Sequence, residues 1–291
     1  MTARPAPQAE AADLVVLAPA IAPDALAEIE GLAGARGVEA LPMPRGASTR
    51  AWRLPAGRED AAVREACARL GADCALVPRT RRLADVRVLA MDMDSTLISI
   101  ECIDEIAAHA GVRDEVAAIT QDAMRGEIEF RESLERRVRL LAGLDIAALD
   151  RVYRDRVRLN AGAEALLAAA KSAGARTLLV SGGFTYFTSR LGERLGFDES
   201  VANELEIAGG RLTGRLVGGI VDAHAKAAAL RAARARAGGG LTVAIGDGAN
   251  DLPMLEAADV SIAYHAKPVV RARATHAIDH GGLDAAIALF R

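Results

Sequence analysis

Apolar positions follow two different rhythms along this chain. In the first third, residues 14–17, 38–41, 48–54 and 74–77 form short apolar or alternating runs bounded by Pro and Gly, and each predicts a strand. Between them, Pro23 and Asp24 open a helical spacing that runs to residue 32, and Ala62, Val63, Ala66 and Leu70 mark one face of a helix over 58–70. The order strand–helix–strand–strand–helix–strand predicts a small α+β ferredoxin-like unit over residues 1–84, with 1–12 as a tail and 78–82 as a basic linker. The pattern then changes. Residues 86–91 are a nearly unbroken apolar run, which predicts a buried strand of a parallel sheet. Four helical segments follow, over 100–110, 113–124, 130–142 and 146–157, with Gly111, Gly126, Gly143 and Asn160 as their stops.

Strand–helix alternation resumes at 163. A helix over 163–173 leads to a strand over 177–180, a tight turn at Ser181-Gly182-Gly183 and a helix over 184–195. Residues 203–207 and 211–216 read as a hairpin across Gly209-Gly210. Asp222 caps a helix to 237, a strand spans 242–245, and Gly246-Asp247-Gly248 forms a tight turn into a helix from about Asn250. A strand over 260–263 and a terminal helix from Leu283 complete the chain. The expected fold is α/β: a doubly wound parallel-sheet (Rossmann-like) core over 85–291, with a helical cap inserted at about 100–160 and the ferredoxin-like unit in front. A cap inserted there would lie over the carboxyl ends of the strands.

Composition narrows the function. An apolar share of 51% supplies a sizeable core, but aromatics are only 3%, so the helices must pack through small side chains, chiefly Ala. A net charge of -3 argues against nucleic acid as a partner. The three cysteines (Cys67, Cys74, Cys102) are an odd number with no C-x-x-C pair, which suggests free thiols in a reducing compartment. No apolar run approaches the roughly 20 residues that cross a bilayer. The expected setting is cytoplasmic, with no membrane partner.

The candidate chemistry begins at Asp92 and Asp94, one residue apart where the first core strand ends, in D-M-D-S-T. In open α/β sheets ligands bind at such strand ends. Two acids so close repel unless a cation or a shared proton intervenes, and Mg2+ beside a phosphate is the common solution. An Asx turn capping the strand end is the alternative. Ser181 with Gly182 and Gly183 ends a second strand. Asp247, Asn250 and Asp251 follow a third in G-D-G-A-N-D, and Lys226 lies on the helix before it. Such glycines and helix starts suit an anion. No G-x-x-x-x-G-K-[ST], G-x-S-x-G or G-x-G-x-x-G motif is present in the required context.

Those four motifs, in this order, resemble the haloacid-dehalogenase-type phosphohydrolases. D-M-D-S-T-L-I-S-I-E-C-I-D-E-I, F-R-E-S-L-E-R-R-V-R-L-L and V-S-G-G-F are similar, within them, to the phosphoserine phosphatases. The resemblance implies hydrolysis of O-phospho-L-serine to serine and phosphate, the last step of serine biosynthesis. It implies Asp92 as the nucleophile that becomes an aspartyl phosphate, and Asp94 as the general acid and then base. It implies Mg2+ held by Asp92, the Asp94 backbone carbonyl and Asp247, and phosphate held by Ser181, Gly182, Lys226 and Asn250. Asp251 is expected to orient Lys226 or a metal water. Glu101 matches the ammonium-binding acid, Arg137 (with Arg136 as its rival) the carboxylate-binding arginine, and Met124 and Phe130 the apolar cap positions. The N-terminal segment resembles an ACT-like domain more loosely. For it two readings stay open, a module that senses a small molecule or forms a homodimer, and a structural appendage. Other small phosphomonoesters, phosphotransfer to a seryl acceptor and a receiver-like phosphoacceptor are the competing readings, though the cap and G-D-G-A-N-D do not suit the last.

Overall fold

The computed structural model describes residues 11–125 and 127–290. Its N-terminal part is an antiparallel sheet of β1 (Ala12–Ala18), β2 (Glu39–Ala40), β3 (Arg50–Leu54) and β4 (Asp73–Pro78), ordered β2-β3-β1-β4, with helices α1 (Pro23–Ala33) and α2 (Ala61–Arg69). This is the expected ferredoxin-like arrangement. The central strand β1 shows why it needs cover on both sides. Leu14, Val16 and Ala18 pack against Ile29 and Ala33 of α1 and Val63 and Cys67 of α2. Val15 and Leu17, on the opposite face, join a core that includes Leu283, Ala285 and Leu289 near the C-terminus.

Polar groups fix that docking. The fully buried Asp284 carboxylate accepts the Ser48 and Thr49 hydroxyls at 2.8 and 2.7 Å and both of their backbone N–H groups. Asp73 accepts the backbone N–H groups of Asp279, His280 and Gly281. A strand from residue 48 is therefore corrected: Ser48 and Thr49 turn toward Asp284, and β3 begins at Arg50. Replacing Asp284 by Ala would leave four donors without their acceptor, the two of Thr49 fully buried and the two of Ser48 partly so. A loss of about 3 kcal/mol or more in unfolding free energy is expected from urea denaturation; an unchanged midpoint would show that this contact does not hold the two parts together.

The second sheet has seven strands: β5 (Val86–Met91), β6 (Arg176–Phe184), β7 (Glu199–Ala208), β8 (Arg211–Val217), β9 (Leu241–Gly246), β10 (Val260–Tyr264) and β11 (His276–Ile278). Their order is β11-β10-β9-β5-β6-β7-β8, parallel except for the antiparallel hairpin β7–β8. From β5 the chain builds outward through β6 and β7, then returns to lay β9, β10 and β11 on the other side. Strands β5 and β9 thus flank the point where the order reverses, where ligands of such sheets bind.

Between β5 and helix α7 (Ala163–Ser172) stand α3 (Cys102–Ala110), α4 (Arg113–Met124), α5 (Phe130–Leu140) and α6 (Ala147–Asp155). Their stem is two-stranded: Ile98 bridges Leu159, and the Ser99 N–H donates to the Arg158 carbonyl at 3.0 Å. A second clip joins the α5–α6 turn to the β7–β8 hairpin, where the Gly143 N–H donates to the Leu212 carbonyl at 2.8 Å. The cap is thereby held over the strand ends. Helices α7 and α8 (Thr185–Leu195) cover one sheet face, while α9 (Ala223–Arg236) and α10 (Leu252–Ala257) cover the other.

Two further expectations are corrected. Residues 283–289 wind as a 3-10 segment, not an α-helix, with six of the seven residues buried. Ser181-Gly182-Gly183 is no turn; β6 runs on through it to Phe184. Among the described residues no helix is long and apolar enough to cross a membrane.

Candidate active site

Asp92 is the first residue beyond β5, and its N–H donates to the Ile245 carbonyl at 3.0 Å, so the β5–β9 ladder itself places it. The chain then makes one wide helical turn over Met93–Leu97, broken at Asp94 and Ser95, with Ser95 in the left-handed region at φ 56°. Asp94 lies outside the strand, two residues beyond Asp92. Its Oδ1 accepts the Cys102 N–H at 2.9 Å, at the start of α3, and its Oδ2 accepts the Ser181 hydroxyl at 3.2 Å. Burial raises the Asp94 carboxyl above the usual range, against the pull of these donors.

The acids that do gather with Asp92 are Asp247 and Asp251, each with a carboxylate oxygen within 4.8 Å of the others. Lys226 stands among them, 1% exposed, donating to Asp92 Oδ1 at 2.6 Å and Asp251 Oδ1 at 2.8 Å. Burial alone would lower its pKa, but Asp251 and Asp92 override that and raise it, so the ammonium stays charged. Asp251 spends its second oxygen on the N–H groups of Asp247 and Gly248, at 3.2 and 3.0 Å. Both of its oxygens are engaged within the protein, so it orients Lys226 and the G-D-G loop. Asp247 accepts the Thr96 hydroxyl at 3.1 Å, and burial, with Asp251 beside it, pushes it up to about 6. Burial and Asp251 also push Asp92 well up, with Lys226 opposing. Three carboxylates around one ammonium leave an excess of negative charge with hard oxygen donors, which suits a divalent cation.

The glycines act through close approach. A Cβ on Gly183 would lie 2.5 Å from Asp94 Oδ2, and one on Gly182 would lie 3.3 Å from the Phe130 ring. Side chains there would push the cap away from the strand end or dislodge Asp94. Ser181 is held as donor to Asp94 by the Gly183 N–H, which donates to its Oγ at 2.8 Å. Asn203 fixes the segment from behind, donating to the Gly182 carbonyl at 2.8 Å and accepting the Val221 N–H at 2.7 Å.

Cap and core enclose a cavity of about 680 Å³. Asp92, Asp94, Ser181, Gly182, Asp247 and Asn250 line its core side, and Glu101, Phe130 and Arg137 its cap side. Lys226 sits behind this wall and reaches it through Asp92. The side chain of Met124 lies outside the described residues. Glu101 stays open to the cavity and accepts the Ser95 hydroxyl at 2.6 Å, while surrounding protein and the nearby Asp94 push it up to about 8. Burial lowers the Arg137 guanidinium, with Asp104, Glu101 and Asp94 opposing. Helix α5 decides between the adjacent arginines: Arg136 faces outward and pairs with Glu132 at 2.5 Å, whereas Arg137 faces the cavity. Reading the motifs alone misses Thr96, Asp104 and Ser133. Asp104 follows Glu101 by three residues and Ser133 precedes Arg137 by four, so a helical-face argument could have found both.

The comparisons with known proteins agree with this geometry. Residues 89–256 match the model of the haloacid dehalogenase-like hydrolase family, more than half of the chain. The chain belongs to the haloacid dehalogenase-like hydrolases. It is 52% identical over 217 residues to a phosphoserine phosphatase of Polaromonas sp., covering 72% of this chain and 92% of that protein. A probable phosphoserine phosphatase of Vibrio cholerae, solved without ligand, superposes with a TM-score of 0.83 at 35% identity, over 95% of this chain and 85% of that one. So extensive a match takes in the N-terminal sheet as well. A substrate-bound phosphoserine phosphatase complex superposes with a TM-score of 0.66 at 36% identity, over 71% of this chain and 99% of that one. As a hydrolase of this family the chain is an enzyme, and its acids, Lys226 and Ser181 meet where the sheet order reverses.

Proposed function

We propose that this enzyme is a phosphoserine phosphatase, hydrolysing O-phospho-L-serine to L-serine and phosphate with Mg2+, as the last step of serine biosynthesis. The observation that carries the reading is the company the acids keep. One cavity joins a wall suited to a phosphate with Glu101 and Arg137, which complement the ammonium and carboxylate of an amino acid. The named relatives support the same substrate.

Asp92 attacks phosphorus, and the bond from phosphorus to the seryl oxygen breaks as the aspartyl phosphate forms. Asp94, whose carboxyl is raised by the surrounding protein, gives its proton to the leaving seryl oxygen. It then takes a proton from the water that attacks phosphorus, which frees phosphate and restores Asp92. Ser181, the Gly182 N–H, Asn250 and Lys226 steady the phosphoryl group, and Lys226 also fixes the Asp92 carboxylate. Phe130, against Gly182, helps exclude water, with Met124 assigned the same role. The donor set fits Mg2+, with Asp92, the Asp94 backbone carbonyl and Asp247 as its holders. When bound, the ion supplies charge neutralisation between the acids and the phosphate dianion.

The metal reading predicts a particular pH dependence. Asp247, at about 6 without metal, must lose its proton to bind the ion. Without metal, a carboxyl raised from 3.8 to about 6 contributes stability at low pH that is lost as pH rises through 6. Added Mg2+ is therefore expected to raise Tm more at about pH 7.5 than at about pH 5, and a chelator should abolish phosphate release. An equal Tm response at both pH values would remove Asp247 from the metal site.

The same reading divides the chain near residue 84 and assigns the enzyme to the cytoplasm, in keeping with three unpaired cysteines. A homodimer through the N-terminal part would use its helices or sheet edges, since both sheet faces are covered.

A further inference from the structure

Ser133 lies on α5, one turn before Arg137, and lines the same cavity. It is 1% exposed, and its hydroxyl has no hydrogen-bond partner among the described residues. A helical serine can return its hydroxyl to the carbonyl four residues back, but here the Glu129 carbonyl takes only the Ser133 N–H, at 2.9 Å. A buried hydroxyl left unpaired costs stability, so a serine kept this way stores a donor for something that arrives later. Ser133 lines the cavity, so a partner for its hydroxyl can come from inside it. The Arg137 Nε–H donates to the Ser133 carbonyl at 3.3 Å, which keeps the guanidinium beside this hydroxyl. A group gripped by Arg137 would therefore arrive next to Ser133. The other charged groups nearest Arg137 are the acids Asp104, Glu101 and Asp94.

We propose that Ser133 is a further substrate contact, its hydroxyl donating to the carboxylate that Arg137 binds. The inference rests on the phosphoserine reading above. Arg137 supplies charge and a planar fork; Ser133 adds a neutral, directional donor that fixes how the carboxylate is turned. It therefore selects for substrates that carry a carboxylate and is indifferent to those without one.

The test uses the full chain with Ser133→Ala, assayed on O-phosphoserine and on O-phosphoethanolamine, which keeps the phosphate and ammonium but has no carboxylate. The expected result is a KM for phosphoserine raised about tenfold, as for a lost bond to a charged group. The kcat should stay within about twofold, the KM for phosphoethanolamine should not move, and Tm should be unchanged or higher, because an unpaired hydroxyl has gone. Ser133→Cys, close in size but a weak donor, should give an intermediate KM for phosphoserine. An unchanged KM for phosphoserine in Ser133→Ala, or equal increases for both substrates, would overturn the proposal. Should the unaltered enzyme fail to hydrolyse phosphoserine at all, the substrate reading itself falls, so the two failures are told apart.

Discussion

Replacing Asp92 by Asn is expected to lower phosphate release by about 10^4-fold or more while leaving Tm unchanged or raised. The amide is nearly the same size as the carboxylate but has no nucleophilic oxygen anion, and removing a group that forms the covalent intermediate costs losses of this order. The stability side follows from local charge. Asp92, Asp247 and Asp251 crowd one ammonium, and Asp251 still pairs with Lys226 at 2.8 Å when Asp92 is neutral. Without metal, the substitution relieves repulsion among buried acids and leaves no buried cation alone. Phosphate release and a thermal melt, both on Asp92→Asn, check the two halves. Turnover within tenfold of the original would exclude Asp92 as the nucleophile, and a collapsed melt would show that the cluster is first a structural device.

The second large effect concerns Arg137. Arg137→Ala should reduce kcat/KM for phosphoserine by about 10^2- to 10^3-fold, the usual range for losing one partner of a buried charged contact. The same substitution should change O-phosphoethanolamine turnover by no more than a few-fold, because that substrate offers Arg137 nothing to hold. Arg137→Lys should recover only part of the loss, since an ammonium keeps the charge without the planar fork. Arg136→Ala, on the outward face with Glu132, should have little effect on either substrate. Equal losses on both substrates in Arg137→Ala would mean that the residue shapes the cap and does not read the carboxylate.

Much of the site was legible because its residues are local to strand ends. A buried apolar run followed by D-M-D-S-T announces a parallel strand with acids at its mouth, and β5 ends at Met91 as that pattern requires. Asp222 was readable as a cap, and its carboxylate accepts the Ala225 N–H at 2.9 Å. What escaped was whatever depends on residues far apart in the chain. The Ser48 and Thr49 contacts with Asp284 span more than 230 residues, and they shorten a strand that local alternation would have extended. Ser181-Gly182-Gly183 has the composition of a turn, but its glycines admit Asp94 and Phe130, an approach no local pattern records. Asp94 takes Cys102 and Ser181 as its partners, while Asp92 gathers with Asp247 and Asp251, a division no local pattern records. Ser133 stands inside F-R-E-S-L-E-R-R-V-R-L-L, but only packing reveals that its hydroxyl lacks a partner among the described residues.

The most direct test of the account is phosphate release measured on O-phospho-L-serine beside O-phosphoethanolamine, glycerol phosphate and a nucleoside monophosphate, each with Mg2+ and with chelator. The account predicts turnover that needs Mg2+ and a kcat/KM for phosphoserine at least about 10^2-fold above the others, the ratio expected when buried charged partners read both ends of the amino acid. Comparable rates across the panel would leave Asp92 and Asp94 their chemistry but contradict the assignment of Glu101 and Arg137, and with it the substrate.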